Sequence, residues 1–245
     1  MNKAKQMENK TMRSIKAVLG TLAVMALAGS AMAVQNQVIW VSDNGTALVG
    51  SPSASTSGAI TFSGSDAFWT VVISTGTAYP PLVGPGTLSS PVMDLSITAT
   101  EIGDSSATHA LTITFGADGF GPTAGAFAAI LSGHVVSGAG GQTVTYNSYY
   151  TGSPLNPASV TPPAGTLLTA SGPVAPSVYN STVSSAGVSL AAPYALEEVV
   201  TIGSSPDGAS YSLDASLRTV PDGGTTAMLL GGALSVLGLI RRKLA

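Results

Sequence analysis

The chain contains no cysteine and very little charge. Without cysteine there is no disulfide, no thiolate metal ligand and no cysteine nucleophile, so the folded part must be held together by packing alone. Its 245 residues are enough to bury a sizeable core without crosslinks. Charged residues make up 9% of the chain, and they are unevenly placed.

Basic residues are scarce between the two ends of the chain. From Val34 to Thr219 the sequence has ten carboxylates and one cation, Arg218, which gives a net charge of -9. A surface of that sign repels a phosphate backbone, so we expect no nucleic-acid partner. The remaining cations lie in two groups, one at each end of the chain.

The first 33 residues have the three zones of a secretory signal peptide. A cationic start through Lys16 precedes an apolar run from Ala17 to Ala28, and small residues follow up to Ala33. The run is too short for a comfortable membrane span, and Ala31 and Ala33 have the small side chains that signal peptidase accepts. We predict a signal-peptide helix that is removed after Ala33; an uncleaved anchor or a buried core helix is the alternative.

A second apolar segment, residues 225–240, carries no charge. As a helix it would be about 24 Å long, short of the roughly 30 Å hydrocarbon core but workable if the flanking cations snorkel. The positive-inside rule keeps Arg241, Arg242 and Lys243 in the cytoplasm. We therefore predict a transmembrane helix here, with the preceding body beyond the inner membrane.

A short motif stands directly before this helix and consists of Val220, Pro221, Asp222, Gly223 and Gly224. The proline favours an extended conformation in the residue before it, and the glycines leave the backbone bare. A protease can bind an extended segment with so few bulky side chains, although a linker that breaks the helix would have the same composition.

The order of this motif, the Leu- and Gly-rich helix and the Arg-Arg-Lys end resembles the VPDGG-type C-terminal sorting signal, a variant of the PEP-CTERM signals of Gram-negative bacteria. The resemblance covers about 26 of the 245 residues. It implies that an exosortase, an integral-membrane cysteine protease, recognises the exported chain and cleaves it near the motif. It also implies an association with exopolysaccharide and with biofilm or floc matrix.

The body at 34–219 has apolar residues at every second position in many segments. Leu111, Ile113 and Phe115 share one face, and residues 211–217 alternate in the same way. Period two is the pattern of half-buried strands. Strands are predicted at 37–42, 59–64, 68–75, 92–102, 111–115, 143–150, 177–185, 195–203 and 211–217. We predict three parts: a signal peptide at 1–33, an all-β domain, an antiparallel β-sandwich or jelly roll, at 34–219, and the sorting segment at 220–245.

Residues 125–136 carry two conflicting patterns. Helical spacing is shown by Phe127, Ile130, Leu131 and His134. The β-branched pair that follows and the glycine-rich segment after it favour a strand. We predict a strand that pairs with residues 143–150 through a turn at Gly138, Gly140 and Gly141.

Catalytic chemistry has little support in the sequence. His109 and His134 are the two histidines, and we expect His109 to be a strand-end residue rather than a catalytic base or a metal ligand. There is no G-x-S-x-G elbow and no phosphate-binding loop. Composition alone leaves a Ser-His-Asp triad open, but we expect a protein that is not an enzyme, with no cofactor and no metal.

The carboxylates give no clear catalytic pair either. Glu197 and Glu198 are adjacent in a predicted strand, so they point to opposite faces and cannot form the facing pair of a glycosidase. Glu198 shares the phase of the apolar residues around it, and we expect a bulge or a rim position to keep it out of the core. Glu101 and Asp104 are expected to be solvated loop acids.

Calcium binding is the weaker interpretation of two aspartates next to glycines. Asp43-Asn44-Gly45 and Asp118-Gly119 offer oxygen atoms at predicted turns. Such pairs are ordinary turn chemistry, and no D-x-D-x-D-G loop is present.

Two functions remain. The first is an exported, exosortase-sorted surface or extracellular matrix protein, a non-catalytic structural or adhesive component linked to exopolysaccharide or biofilm. The second is a secreted carbohydrate-binding or carbohydrate-active module, for which Trp40, Trp69, Tyr149 and Tyr150 offer sugar-stacking faces, although aromatic residues in strands are more often core. The expected partners are signal peptidase, the exosortase, the inner membrane as a transient anchor, and exopolysaccharide.

Overall fold

The computed structural model describes residues 36–56, 58–78, 90–102, 109–138, 142–152, 155–175, 178–203 and 208–220, with Gly231 and Leu234. The strands of this part are β1 (Gln37–Asp43), β2 (Thr46–Ala47), β3 (Ser53–Ser55), β4 (Ala59–Ser65), β5 (Trp69–Ala78), β6 (Val92–Glu101), β7 (Leu111–Phe120), β8 (Thr123–Ser137), β9 (Val144–Thr151), β10 (Thr166–Ala170), β11 (Val178–Ser184), β12 (Val188–Leu190), β13 (Tyr194–Ile202) and β14 (Ser210–Val220). The predicted signal peptide and nearly all of the predicted transmembrane helix lie outside the described residues. Within them, no helix is long and apolar enough to span a membrane.

The strands form two antiparallel sheets, here called sheet I and sheet II. Sheet I has the order β10-β9-β13-β7-β1-β2, with β3 also paired to β1. Sheet II has the order β11-β8-β14-β6-β5-β4, with β12 also paired to β8. Each predicted strand is present, and the all-β sandwich prediction is confirmed.

The core lies between the sheets and follows from the alternation of side chains along each strand. In β14 the alternate residues Tyr211, Leu213, Ala215 and Leu217 are fully buried. The residues between them are polar and face outward, as period two requires. Apolar side chains from both sheets join in one continuous cluster, which makes packing the main source of stability.

Residues 125–136 lie in a strand, as predicted, but the predicted hairpin is wrong. β8 pairs with β11, β12 and β14, whereas β9 pairs with β10 and β13 in the other sheet. The chain thus passes from sheet II to sheet I between β8 and β9. The backbone N–H of Gln142 donates to the Tyr211 hydroxyl at 3.1 Å, and its carbonyl accepts from the Tyr179 hydroxyl at 2.7 Å. Alternation shows which face of a strand is buried but does not identify its neighbour, because packing across the core buries that face equally well.

Two acids predicted in turns or loops lie within strands instead. Asp118 is inside β7 and 2% exposed, because it accepts the backbone and side-chain N–H groups of Asn36 and the backbone N–H of Leu155. Glu101 is the buried last residue of β6, and Asp104 lies outside the described residues. The turn at Asn44 is confirmed, since it joins β1 to β2.

Candidate functional site

The C-terminal motif begins on the last strand of the sandwich. Val220 ends β14 and pairs with Ala126 of β8, and Thr219 beside it pairs with Phe127. The hydroxyl of Thr219 also lies 2.7 Å from that of Ser90. The other predicted processing residues lie outside the described residues: Pro221, Asp222, Gly223 and Gly224 of the motif, Arg241, Arg242 and Lys243 of the tail, and Ala31 and Ala33 of the signal-peptidase site. The sandwich therefore reaches the motif without a spacer.

A groove of about 370 Å³ lies on the outer face of sheet I. The register places Glu197 of β13 between Tyr149 of β9 and Gly116 of β7. Thr112, Thr114 and Val199 continue the floor, and residues 162–165 form a wall. We name this feature the Glu197 groove.

The wall is the end of a segment, 155–165, that folds back over the outer face of sheet I. Leu155 packs with Trp40 in a small apolar cluster, and the Trp40 indole donates to the Ser159 carbonyl at 2.8 Å. A Cβ at Gly116 would lie 2.9 Å from Leu155 Cδ1 and 3.0 Å from Trp40 Cζ3. Glycine at this position is therefore what lets the segment sit so close to the sheet.

Glu197 is the buried acid at the bottom of this groove. Its side chain is 2% exposed, and its Oε1 atom is buried with no hydrogen-bond partner among the described residues. Burial raises the pKa of Glu197 to about 7. Near neutral pH the carboxyl group is available both to accept hydrogen bonds and, when protonated, to donate one.

The predicted bulge or rim position of Glu198 is wrong. It is fully buried on the core face and pairs regularly with Phe115 and Ser148, because the nearest irregularity of β13 lies earlier in the strand. The Tyr146 hydroxyl donates to Glu198 Oε1 at 2.5 Å, which provides the partner that local sequence does not reveal. The prediction that Glu197 and Glu198 face opposite sides of the strand is confirmed.

A second cleft, of about 310 Å³, lies around His109. His109 Nδ1 is 2.7 Å from Asp43 Oδ2, and the ring stacks on Phe68 with centroids 3.4 Å apart. The strand-end position predicted for His109 is confirmed, since only Ala110 separates it from the start of β7 at Leu111. The described residues that line this cleft include no serine. His134 is exposed on β8.

Most of the predicted sugar-stacking aromatics lie in packed positions. Trp40 is 3% exposed and Trp69 is fully buried, while Tyr150 packs against the core. Tyr149 alone of the four lines the Glu197 groove. No group of three or more His, Asp or Glu side chains in the described ranges is arranged to hold a metal.

The Glu197 groove was not predicted from the sequence. Alternation places Glu197 on the outer face, which is ordinarily solvated. What buries it is the segment 155–165, whose prolines indicate a loop but not where that loop packs. The sequence therefore indicates an outward-facing acid and a loop separately, but not that the loop packs over the acid and forms the groove.

The fold and the C-terminal end define an all-β sandwich that carries a sorting signal. Residues 219–244 match the VPDSG-CTERM motif, so the C-terminus is a PEP-CTERM-like exosortase sorting signal, as the sequence indicated. A signal of this kind implies an exported protein. No curated protein matches the chain.

Several solved structures are weakly similar. The structure of TmCBM61 in complex with β-1,4-galactotriose has a TM-score of 0.32 and 9% identity, covering 62% of this chain and 88% of that one. A family 35 carbohydrate-binding module from Clostridium thermocellum has a TM-score of 0.26 and 7% identity, covering 50% and 88%. The K1 cleaved adhesin domain of Lys-gingipain from Porphyromonas gingivalis W83 has a TM-score of 0.28 and 12% identity, covering 67% and 99%. Scores this low assign no ligand to the chain.

Proposed function

We propose that the chain is an exported surface or matrix protein that an exosortase-type membrane protease sorts, and that its β-sandwich is a non-catalytic structural or adhesive component of extracellular polysaccharide. The observation that carries this proposal is the direct passage from β14 into the sorting signal at Val220. With no spacer, cleavage near the motif would release a sandwich that keeps its last strand. The acidic body, with its single cation, is compatible with a neutral polysaccharide partner and not with a polyanionic one.

Carbohydrate binding is the second candidate function, and the Glu197 groove favours it over hydrolysis. A glycosidase needs two carboxyl groups across its groove. Glu197 is the one carboxyl group among the described residues that line this groove. The arrangement therefore supports a binding module more than a carbohydrate-active enzyme.

The sorting proposal is tested by replacing residues 221–224 with alanine and measuring the intact mass of the protein from cells and medium. We expect the natural chain to lose its first 33 residues and its C-terminal helix, and the variant to keep the helix. The matched control replaces Ser204, Ser205, Pro206 and Asp207, another segment with a Pro-Asp pair, and should be processed normally. A natural chain that keeps its C-terminal helix, or a 221–224 variant that loses the helix as the natural chain does, would remove the proposal.

A further inference from the structure

The fold brings an unpaired acid and an aromatic ring together in the Glu197 groove. Glu198, its neighbour in sequence, has the Tyr146 hydroxyl as a donor to Oε1, although its Oε2 atom is buried with no partner among the described residues. Glu197 is nearly as buried, yet its Oε1 atom has no donor among the described residues. A buried carboxyl group without a partner is unfavourable, and a ligand that brings its own donors removes that cost.

The surroundings of Glu197 specify what kind of donor fits. Thr112 and Thr114 add hydroxyl groups to the floor, while Tyr149 and the prolines of the wall add apolar surface. Leu167 of β10 pairs with Tyr149 and is 52% exposed, so it extends the apolar rim on the same face. A matching ligand has apolar faces and hydroxyl groups at its edges.

Other ligand classes fit less well. A divalent cation needs several oxygen ligands, and Glu197 is the single carboxylate among the described lining residues. An ammonium or guanidinium group would lose its hydration in a groove that offers one acid of raised pKa. A neutral hydroxylated ring makes hydrogen bonds with the carboxyl group whether or not that group is protonated.

We propose that the Glu197 groove is a saccharide-binding subsite, in which Tyr149 packs on the apolar face of a neutral sugar ring and Glu197 accepts hydrogen bonds from its hydroxyl groups. The groove volume of about 370 Å³ is at the small end for ligand pockets, which suits a short part of a polysaccharide. The proposal rests on the proposed function for the source of the ligand, extracellular polysaccharide, but not for the chemistry of the groove. Uronic acids are disfavoured because their carboxylates would meet Glu197 and an acidic body.

The test uses the full chain in a polyoxyethylene detergent, because detergents with sugar headgroups would compete. With 13C at the glutamate side-chain carboxyl, the four glutamates Glu8, Glu101, Glu197 and Glu198 serve as reporters, each assigned from its glutamine variant. The probes are the methyl β-glycosides of glucose, galactose, mannose and xylose, each raised to roughly 100 mM to populate a site of millimolar affinity. We expect at least one sugar to shift the Glu197 signal saturably while the Glu198 signal stays in place.

Substitutions at Tyr149 then measure the contribution of its ring. We expect Tyr149→Phe to retain binding, and Tyr149→Ala to weaken it by about tenfold, the change that a loss of 1.4 kcal/mol produces. If none of the four sugars moves the Glu197 signal, or if all four glutamate signals move together, the subsite proposal is wrong. Binding by Tyr149→Ala equal to that of the natural chain also contradicts it. A failure of sorting would appear in the masses of the processed chains and leave these titrations unchanged.

Discussion

The Tyr146 hydroxyl donates to Glu198 Oε1 at 2.5 Å, and both side chains are fully buried between the two sheets. Burial raises the pKa of Glu198 to about 8; the hydrogen bond from Tyr146 lowers it, and the charge of Asp94 adds to the rise. The carboxyl group is therefore mainly protonated at neutral pH. The sandwich therefore has in its core an ionisable group whose charge state changes at mildly alkaline pH.

The first prediction is that the protein loses stability as the pH rises. In the unfolded chain a glutamate titrates near about 4.3, so between that value and about 8 the folded state holds a proton that the unfolded state releases. The contribution of Glu198 is thus fully present below about pH 4.3 and is lost as the pH rises through about 8. Urea unfolding of the natural chain from about pH 5 to about pH 9 should show a falling free energy of unfolding.

Two glutamine variants separate the contributions of the adjacent acids. Because the pKa of Glu197 is about 7, the free energy of unfolding of Glu197→Gln should change with pH in parallel with that of the natural chain above that pH. The free energy of unfolding of Glu198→Gln, relative to that of the natural chain, should continue to rise up to about pH 9. If Glu198→Gln follows the same pH slope as the natural chain throughout, the raised pKa of Glu198 is wrong. Asp94, whose pKa is also raised by burial and by Asp214, changes the slope equally in all three proteins.

The second prediction concerns the coupling between Tyr146 and Glu198. Tyr146→Phe leaves the buried acid without its donor and should cost about 2 kcal/mol of unfolding free energy. Glu198→Met leaves the hydroxyl without its acceptor, at a similar cost. The double variant removes both polar groups and should recover most of the loss, because neither is left unpaired. Urea unfolding of the four proteins checks this, and losses that simply add would show that the pair is not coupled.

Alternation predicted the positions of the strands but not the way they pair. Leu196 and Ile202 face the core in β13, and Leu213 does so in β14, as their spacing requires. Yet these consecutive strands lie in different sheets, β13 in sheet I and β14 in sheet II. The short strand β10 was missed because it follows a proline-rich stretch and a register shift after Leu167 interrupts its pattern.

The candidate site was harder to predict because its partners are distant in sequence. The alternation along the strand placed Glu198 on the core face. Because burial of an unpaired acid is costly, we predicted a bulge or a rim position instead, and that prediction was wrong. Its donor, Tyr146, lies 52 residues away. Glu197 is likewise buried by segment 155–165, whose Ser159 carbonyl accepts the indole N–H of Trp40, 119 residues earlier in the sequence. The sorting signal was easier, because its whole pattern is contiguous.

The third prediction is that Asp118 anchors the segment over the groove. Its carboxylate accepts both N–H groups of Asn36, each at 2.9 Å, and the N–H of Leu155 at 3.1 Å. Asp118→Ala leaves these donors unpaired and should cost about 3 kcal/mol. Asp214→Ala, at an exposed position on β14, is the control and should change stability by less than about 0.5 kcal/mol. Equal urea midpoints for the two variants would show that Asp118 is no anchor.

The last prediction tests the close approach of segment 155–165 at Gly116. A Cβ there would lie within 3.0 Å of Trp40 and within 2.9 Å of Leu155, so the segment must move outward. Gly116→Ala should lose about 1–2 kcal/mol, as overpacking does, and should also weaken sugar binding because the wall of the groove shifts. Gly152→Ala is the matched control, since no atom lies within 4 Å of its added Cβ. Urea unfolding followed by tryptophan fluorescence measures the loss of stability, and the 13C titration of the Glu197 signal measures the loss of sugar binding. A Gly116→Ala protein as stable as Gly152→Ala would mean that the segment packs elsewhere.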